Sequence, residues 1–244
     1  MKDNFSIDSD KYAKYRPTYP KELYQFLYSK CSNNDKAWDC ATGNGQVATE
    51  LVTYFKEVKA TDISWEQLKQ APALKNIDYS IQQAEETTFK NQTFNLITVG
   101  QAIHWFNFTQ FFKEAKRCLA PNGVLAIFGY GLLHISSEID LLIVEFYQDI
   151  IGPFWDEERK YIETEYQTIP FPFKELPTPN FSIELEWRVD DLLNYLNTWS
   201  AVKHFEKENK ENPLQFIEGR LRKAYGTKLR RVSFPIIIKV GMME

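Results

Sequence analysis

The chain is 244 residues long, enough for one well-buried domain with additions, and we read a single domain over 1–244. Hydrophobic residues make up 43% and charged residues 25%, the balance of a globular protein and not of a disordered or fibrous one. A formal net charge of −4 provides no electrostatic footprint for a polyanion, which disfavours nucleic acid as a partner, and no apolar run is long enough to span a bilayer. Cys31, Cys40 and Cys118 are odd in number, far apart and without metal-ligand spacing, which points to a reducing cytoplasm and to no metal site. The polar segment 1–10 carries acids and does not read as a secretory signal. The expectation is a soluble, cytoplasmic monomer or homodimer whose partner is a small molecule.

Short apolar runs alternate with helical-period segments through the first half, the pattern of repeated βα units on a largely parallel sheet. A helix is predicted over 21–30, with Leu23, Phe26 and Leu27 on one face, then a strand over 37–40, a glycine turn at 42–45 and a helix over 46–54. A second strand, 57–61, ends on Asp62, and Pro72 closes the helix that follows. Strands are predicted at 77–82 and 94–99, a helix at 108–119, and a fifth strand at 124–128 after the turn Pro121-Asn122-Gly123.

From 132 to 180 the character changes to helix followed by the proline-punctuated run Ile169-Pro170-Phe171-Pro172-Phe173, which reads as a surface insertion. Two further strands, 181–189 and 232–240, are separated by helices near 190–204 and 213–225, and Pro235 suggests an edge or bulged position for the last strand. The aromatic share is 15%, and the cluster of Phe154, Trp155, Phe171, Phe173 and Trp199 fits either an aromatic-lined pocket or ordinary core packing. The fold class is α/β: a Rossmann-like, doubly wound, seven-stranded sheet, mostly parallel with an antiparallel last strand and helices on both faces.

The stretch Trp38-Asp39-Cys40-Ala41-Thr42-Gly43-Asn44-Gly45-Gln46 puts an acid at the end of a buried strand and two glycines in the turn that opens a helix. Glycine permits unusual backbone angles and close approach of a ligand, and the amides at a helix start face a carboxylate or phosphate. Asp62, 17 residues beyond Gly45 at the tip of the next strand, is placed to accept hydrogen bonds from both ribose hydroxyls. Together these describe a nucleoside site at the carboxyl edge of a parallel sheet. Gly43-x-Gly45-x-x-Ala48 also satisfies a loose dinucleotide fingerprint, which keeps an NAD(P)-dependent oxidoreductase open as an alternative. Asp39 discriminates: its charge suits a methionine ammonium and sits badly beside a pyrophosphate, unless it is simply a cap or turn residue.

Asp39-x-Ala41-x-Gly43-x-Gly45 with Asp62 after it resembles the first two motifs of the class I S-adenosylmethionine-dependent methyltransferases. Most members have glycine where Ala41 stands. Gln83-Ala84-Glu85 resembles the third motif, with Gln83 in place of the usual acid. The resemblance implies S-adenosylmethionine as cofactor, held by Asp39, Ala41, Gly43, Gly45, Asp62, Ile63, Ala84, Glu85, Gln101 and Tyr15. Gly100-Gln101-Ala102-Ile103-His104-Trp105-Phe106, after the fourth strand, resembles a narrower group, the trans-aconitate and cantharidin methyltransferase type (methyltransferase type 11). So do Tyr15-Arg16-Pro17-Thr18-Tyr19-Pro20, the Phe154-Trp155 and Phe171-Pro172-Phe173 segment, and Thr198-Trp199-Ser200-Ala201. That group implies a small carboxylate as acceptor, and a non-catalytic adenosyl-ligand binding protein on the same fold stays open.

An acceptor carboxylate arrives ionised and needs a cationic or hydrogen-bonding grip, for which Arg16, Arg159 and Lys203 are candidates, each equally readable as a solvated charge. His104 either orients the acceptor or packs beneath the adenosine. Tyr12 and Tyr15 either close over the methionine end or staple the helix. Segments 1–30 and 132–180 are expected to form a lid. The fourth-strand sequence lacks the acid or amide, two prolines and aromatic of enzymes that methylate exocyclic amines of bases, which disfavours that reaction.

Overall fold

The computed structural model describes residues 17–243. Five parallel strands stand in the spatial order β3-β2-β1-β4-β5: β1 (Lys36–Cys40), β2 (Glu57–Asp62), β3 (Ile77–Ile81), β4 (Phe94–Gly100) and β5 (Leu119–Tyr130). β1 pairs with β2 on one side and β4 on the other, so the winding direction reverses there and a crevice opens at the carboxyl ends of β1 and β4. The run Phe94–Val99 is fully buried because helices cover both faces of the sheet. Alternation along the strands fills two cores. Ala37, Leu96, Val124 and Phe128 pack with Leu23 and Leu27 of α1 (Lys21–Lys30) and with Val47 and Leu51 of α2 (Gln46–Leu51). Trp38, Ile97, Leu125 and Ile127 pack on the other face against Phe111 and Ala115 of α4 (Phe108–Cys118).

The local chemistry of the helix starts is visible. Ser64 caps the four-residue α3 (Trp65–Leu68) by accepting from the Gln67 amide, and Asn107 caps α4 by accepting from the Gln110 amide. β5 begins earlier than predicted: Leu119 already pairs with Phe94, and the register breaks around Asn122 (φ 60°) before resuming at Val124.

The second half departs further. Of the expected insertion, α5 (Ser137–Glu145) runs into a π turn, Phe146–Ile150, and α6 (Lys160–Glu163) follows two 3₁₀ turns, Gly152–Phe154 and Glu157–Arg159. Ile139, Ile143, Phe146, Ile151, Ile162 and Ile169 are buried, so 132–180 is half core and not a surface insertion. It ends in β6 (Lys174–Glu175), two residues that bring the sheet to eight strands where seven were expected. The helix expected near 190–204 is two, α7 (Val189–Leu196) and α8 (Ser200–Asn209), and that at 213–225 is a 3₁₀ turn, Pro213–Phe216, followed by α9 (Glu218–Tyr225).

The last strand, β8 (Arg230–Met242), is antiparallel as expected, but it is not an edge. Residues 236–242 pair with β5, and 230–235 pair with β7 (Ser182–Trp187). Pro235 sits where the pairing passes from one partner to the other, a position at which a missing amide costs little. Phe171 and Phe173 pack over this strand so closely that a Cβ on Gly241 would lie 2.6 Å from both, which assigns them to packing. The three cysteines are free, and no helix among the described residues is long and apolar enough to cross a membrane.

Candidate functional site

Left-handed backbone marks the carboxyl edge of β1 and β4: Ala41 (φ 55°), Gly43 (57°), Gly45 (80°) and Gln101 (55°). At Gly43 a Cβ would meet nothing nearer than Gln67 Oε1 at 3.8 Å, so this turn opens on space that a ligand can fill. Gly45 is glycine for a different reason: a Cβ there would stand 2.6 Å from the Tyr79 hydroxyl and 3.1 Å from Ala71. Ala41 holds its left-handed angle without glycine's freedom, at a cost of about 1 kcal/mol.

Asp62 closes the cradle. Its carboxylate accepts from the Gly43 amide at 2.8 Å and from the Ser64 amide at 2.9 Å, so the acid and the glycine turn foreseen from their spacing are in direct contact. A carboxylate offers about four acceptor positions, so two amides do not exhaust it. Ile63 follows, half-buried. Asp39 lies beneath the turn, 1% exposed, and its carboxylate accepts from the Thr98 hydroxyl, the Thr42 hydroxyl and the Ala48 amide. Burial raises its pKa from 3.8 to about 6 against the lowering effect of these donors. Asp39 thus shapes the turn, and any charge it offers a methionine ammonium acts from below. Of the two roles weighed for it, the cap-or-turn role is the one its contacts show.

Ala84 is buried after β3, and Glu85 accepts from the Asn107 amide at 3.0 Å, tying the third strand's loop to the start of α4. Gln101 continues the β4–β5 ladder with its side chain: Oε1 accepts from the Tyr130 amide at 2.9 Å, and its own amide donates to the Phe128 carbonyl at 2.7 Å. His104 is 6% exposed, its ring tilted against Trp105 at 4.9 Å, in the 3₁₀ turn Ile103–Trp105, which touches the Glu157–Arg159 turn. Arg159 is therefore brought to the same edge. Its Nε donates to the Tyr147 hydroxyl at 2.8 Å, which donates to Glu163 at 2.8 Å, and its guanidinium stacks 4.7 Å from Trp155 and 5.4 Å from Tyr147. Tyr147 reaches this point because the π turn rotates it inward.

Other expectations part from the site. Lys203 pairs with Glu206 on α8 at 3.3 Å. Arg16, Tyr15 and Tyr12 lie outside the described residues. Of the segment 1–30 expected in a lid, Lys21–Lys30 is a core helix, while Tyr19 stands edge-on to Phe128 at 4.7 Å beside Gly100. Thr98, Tyr147 and Tyr166 were not singled out from the sequence, and Tyr19 only as part of the Tyr15–Pro20 segment. Thr98 carried a signal, a lone hydroxyl in the apolar run Phe94–Gly100 opposite Asp39. Tyr166 carried none, because nothing in its neighbours marks the left-handed turn that aims it.

Residues 38–127 match the model of a methyltransferase domain family. The chain is 35% identical to a Dictyostelium discoideum protein designated a methyltransferase, over 99% of this chain and 95% of that one. An uncharacterized methyltransferase of Schizosaccharomyces pombe is 25% identical over 85% and 82% of the two chains. Among solved structures, a protein of Anaeromyxobacter dehalogenans designated a type II methyltransferase superposes with a TM-score of 0.87 at 34% identity, covering 93% of this chain and 97% of that one.

Proposed function

The chain belongs to the methyltransferase family, and we propose on that premise that it transfers the methyl group of S-adenosylmethionine to a small carboxylate acceptor. The observation that carries the cofactor assignment is the Gly43–Asp62 contact at the reversal point of the sheet, with an open cradle above Gly43. Asp62 holds the ribose hydroxyls, Ala84 and Glu85 border the adenine, and Gly43, Gly45 and Gln101 line the methionine end, with Ala41 and Ile63 shaping the walls. The narrower trans-aconitate and cantharidin resemblance supports a carboxylate acceptor, as does the position of Arg159 on the turn packed against the Ile103–Trp105 turn.

The cofactor, when bound, supplies an activated methyl group on a sulfonium that leaves as a neutral thioether. Transfer of that methyl group to a carboxylate oxygen would give a neutral methyl ester and S-adenosylhomocysteine. No proton moves, so no general base is required, and the residues need only align the acceptor and exclude water. His104 positions the acceptor from the end of β4, and 132–180 covers it.

Incubation with methyl-labelled S-adenosylmethionine and a panel of small carboxylates tests this reading. Label is expected in a base-labile methyl ester with equimolar S-adenosylhomocysteine. Label confined to amines or phenols would remove the carboxylate class, and no adenosyl-ligand binding at all would remove the enzyme reading.

A further inference from the structure

Tyr166 is fully buried, yet among the described residues its hydroxyl has no hydrogen-bond partner. It is held there by two consecutive left-handed residues that end α6, Glu165 (φ 50°) and Tyr166 (φ 59°), where helices normally place glycine. The Tyr166 amide closes this turn on the Tyr161 carbonyl at 2.8 Å. Strained backbone that buries a polar atom without satisfying it is doubly unfavourable, and such strain persists where function requires the geometry. The hydroxyl lies at the carboxyl end of β5: a Cβ on Gly129 would stand 2.5 Å from it and would also collide with Gln101. Gly129 therefore leaves room for both side chains at the edge where β4 and β5 meet the crevice.

Arg159 lies seven residues before Tyr166, at the turn that leads into α6, near enough for its charge to act on this hydroxyl. Its Nε is committed to Tyr147, whereas among the described residues its two terminal nitrogens have no hydrogen-bond partner. The chain Glu163–Tyr147–Arg159 and the flanking rings of Trp155 and Tyr147 fix the guanidinium plane without using its outer face. A guanidinium held in this way is preorganised for a planar anion. Burial keeps the Tyr166 phenol protonated, so it can serve as a donor.

We propose that Tyr166 and Arg159 together form the acceptor site, the tyrosine hydroxyl donating to one oxygen of a carboxylate whose charge the guanidinium balances. This rests on the carboxylate reading above and adds a binding residue to it.

The test is titration of wild type, Tyr166→Phe and Arg159→Gln, each saturated with S-adenosylhomocysteine, with benzoate, succinate and citrate, and with benzamide as the uncharged control. Intrinsic tryptophan fluorescence, to which Trp155 beneath Arg159 contributes, reports binding. At least one carboxylate is expected to bind wild type while benzamide does not. Tyr166→Phe should weaken that binding about tenfold or more and Arg159→Gln should abolish it, with S-adenosylhomocysteine affinity within about twofold of wild type. The empty Tyr166→Phe protein should melt at the same temperature as wild type or higher, because it loses an unsatisfied buried hydroxyl; a tyrosine with a structural bond would melt lower. The proposal is overturned if none of the three carboxylates binds, if Tyr166→Phe binds as wild type does, or if its melting temperature falls. A wild type that takes up no S-adenosylhomocysteine would instead strike the cofactor reading, and the same carboxylate titrations on the empty protein would still decide the role of Tyr166.

Discussion

The turn after β1 and the segment 132–180, proposed above as the cover of the site, are constructed on opposite principles. In the turn, polar groups are paired within the protein: Asp39 with Thr42, Thr98 and Ala48, Asp62 with Gly43 and Ser64, Gln101 with Tyr130. In the cover, a buried hydroxyl and the outer face of a guanidinium are left without protein partners among the described residues, and Glu165 and Tyr166 carry backbone strain. On the proposed function, the cofactor would meet a surface already organised by internal hydrogen bonds, and the acceptor would meet groups without partners among the described residues.

Breaking the turn should have the largest effect. On the proposed cofactor site, Asp62→Ala would remove the acceptor for two ribose hydroxyls, each a charge-assisted hydrogen bond of about 1.5–3 kcal/mol, so S-adenosylhomocysteine affinity should fall about a hundredfold or more by calorimetry. The variant is also expected to loosen Gly43, whose amide it orphans.

Asp39 gives a pH signature. Its folded pKa, about 6, lies above the ordinary 3.8, so the folded chain holds the proton more tightly than the unfolded one. Its contribution to stability is present below pH 4 and is lost as pH rises through 6, a change of up to about 3 kcal/mol. Denaturant titrations of Asp39→Asn across pH 4 to 6 should lack this component. A methionine ammonium above the turn would favour the ionised form, so cofactor binding near pH 6 should release a proton.

Gly129→Ala sharpens the comparison from the other side, since its Cβ collides with Tyr166 and Gln101 at once. A cost of about 1–3 kcal/mol in stability is expected from overpacking, together with loss of carboxylate binding and, because Gln101 is displaced as well, a smaller loss of S-adenosylhomocysteine affinity. The smallest effect is a gain. Ala41→Gly relieves a left-handed alanine and should raise the melting temperature by about 2–4 °C, from about 1 kcal/mol, without weakening the cofactor.

The same contrast decided what could be read from the residues alone. Glycines at fixed spacing after a buried strand announce a tight left-handed turn because few other residues adopt those angles, and the buried runs at 37–40, 94–99 and 124–128 announce a sheet covered on both faces. Pro235 misled because a missing amide is harmless at an edge and equally harmless where a long strand changes partners, a choice that pairing far along the chain settles. In the cover, Tyr147 depends on a π turn and Tyr166 on a left-handed pair without glycine, and neither conformation leaves a local mark in the sequence. Arg159 could be named as a candidate cation, but its orientation required Tyr147 and Trp155.

The central claim is an adenosyl-ligand site at the Gly43–Asp62 turn, and the most direct measurement is calorimetric titration of the protein with S-adenosylmethionine, S-adenosylhomocysteine and NAD. Saturable 1:1 binding of the two adenosyl ligands and none of NAD is the expected result. Binding of NAD with no response to the other two would contradict the account and move the search to redox substrates.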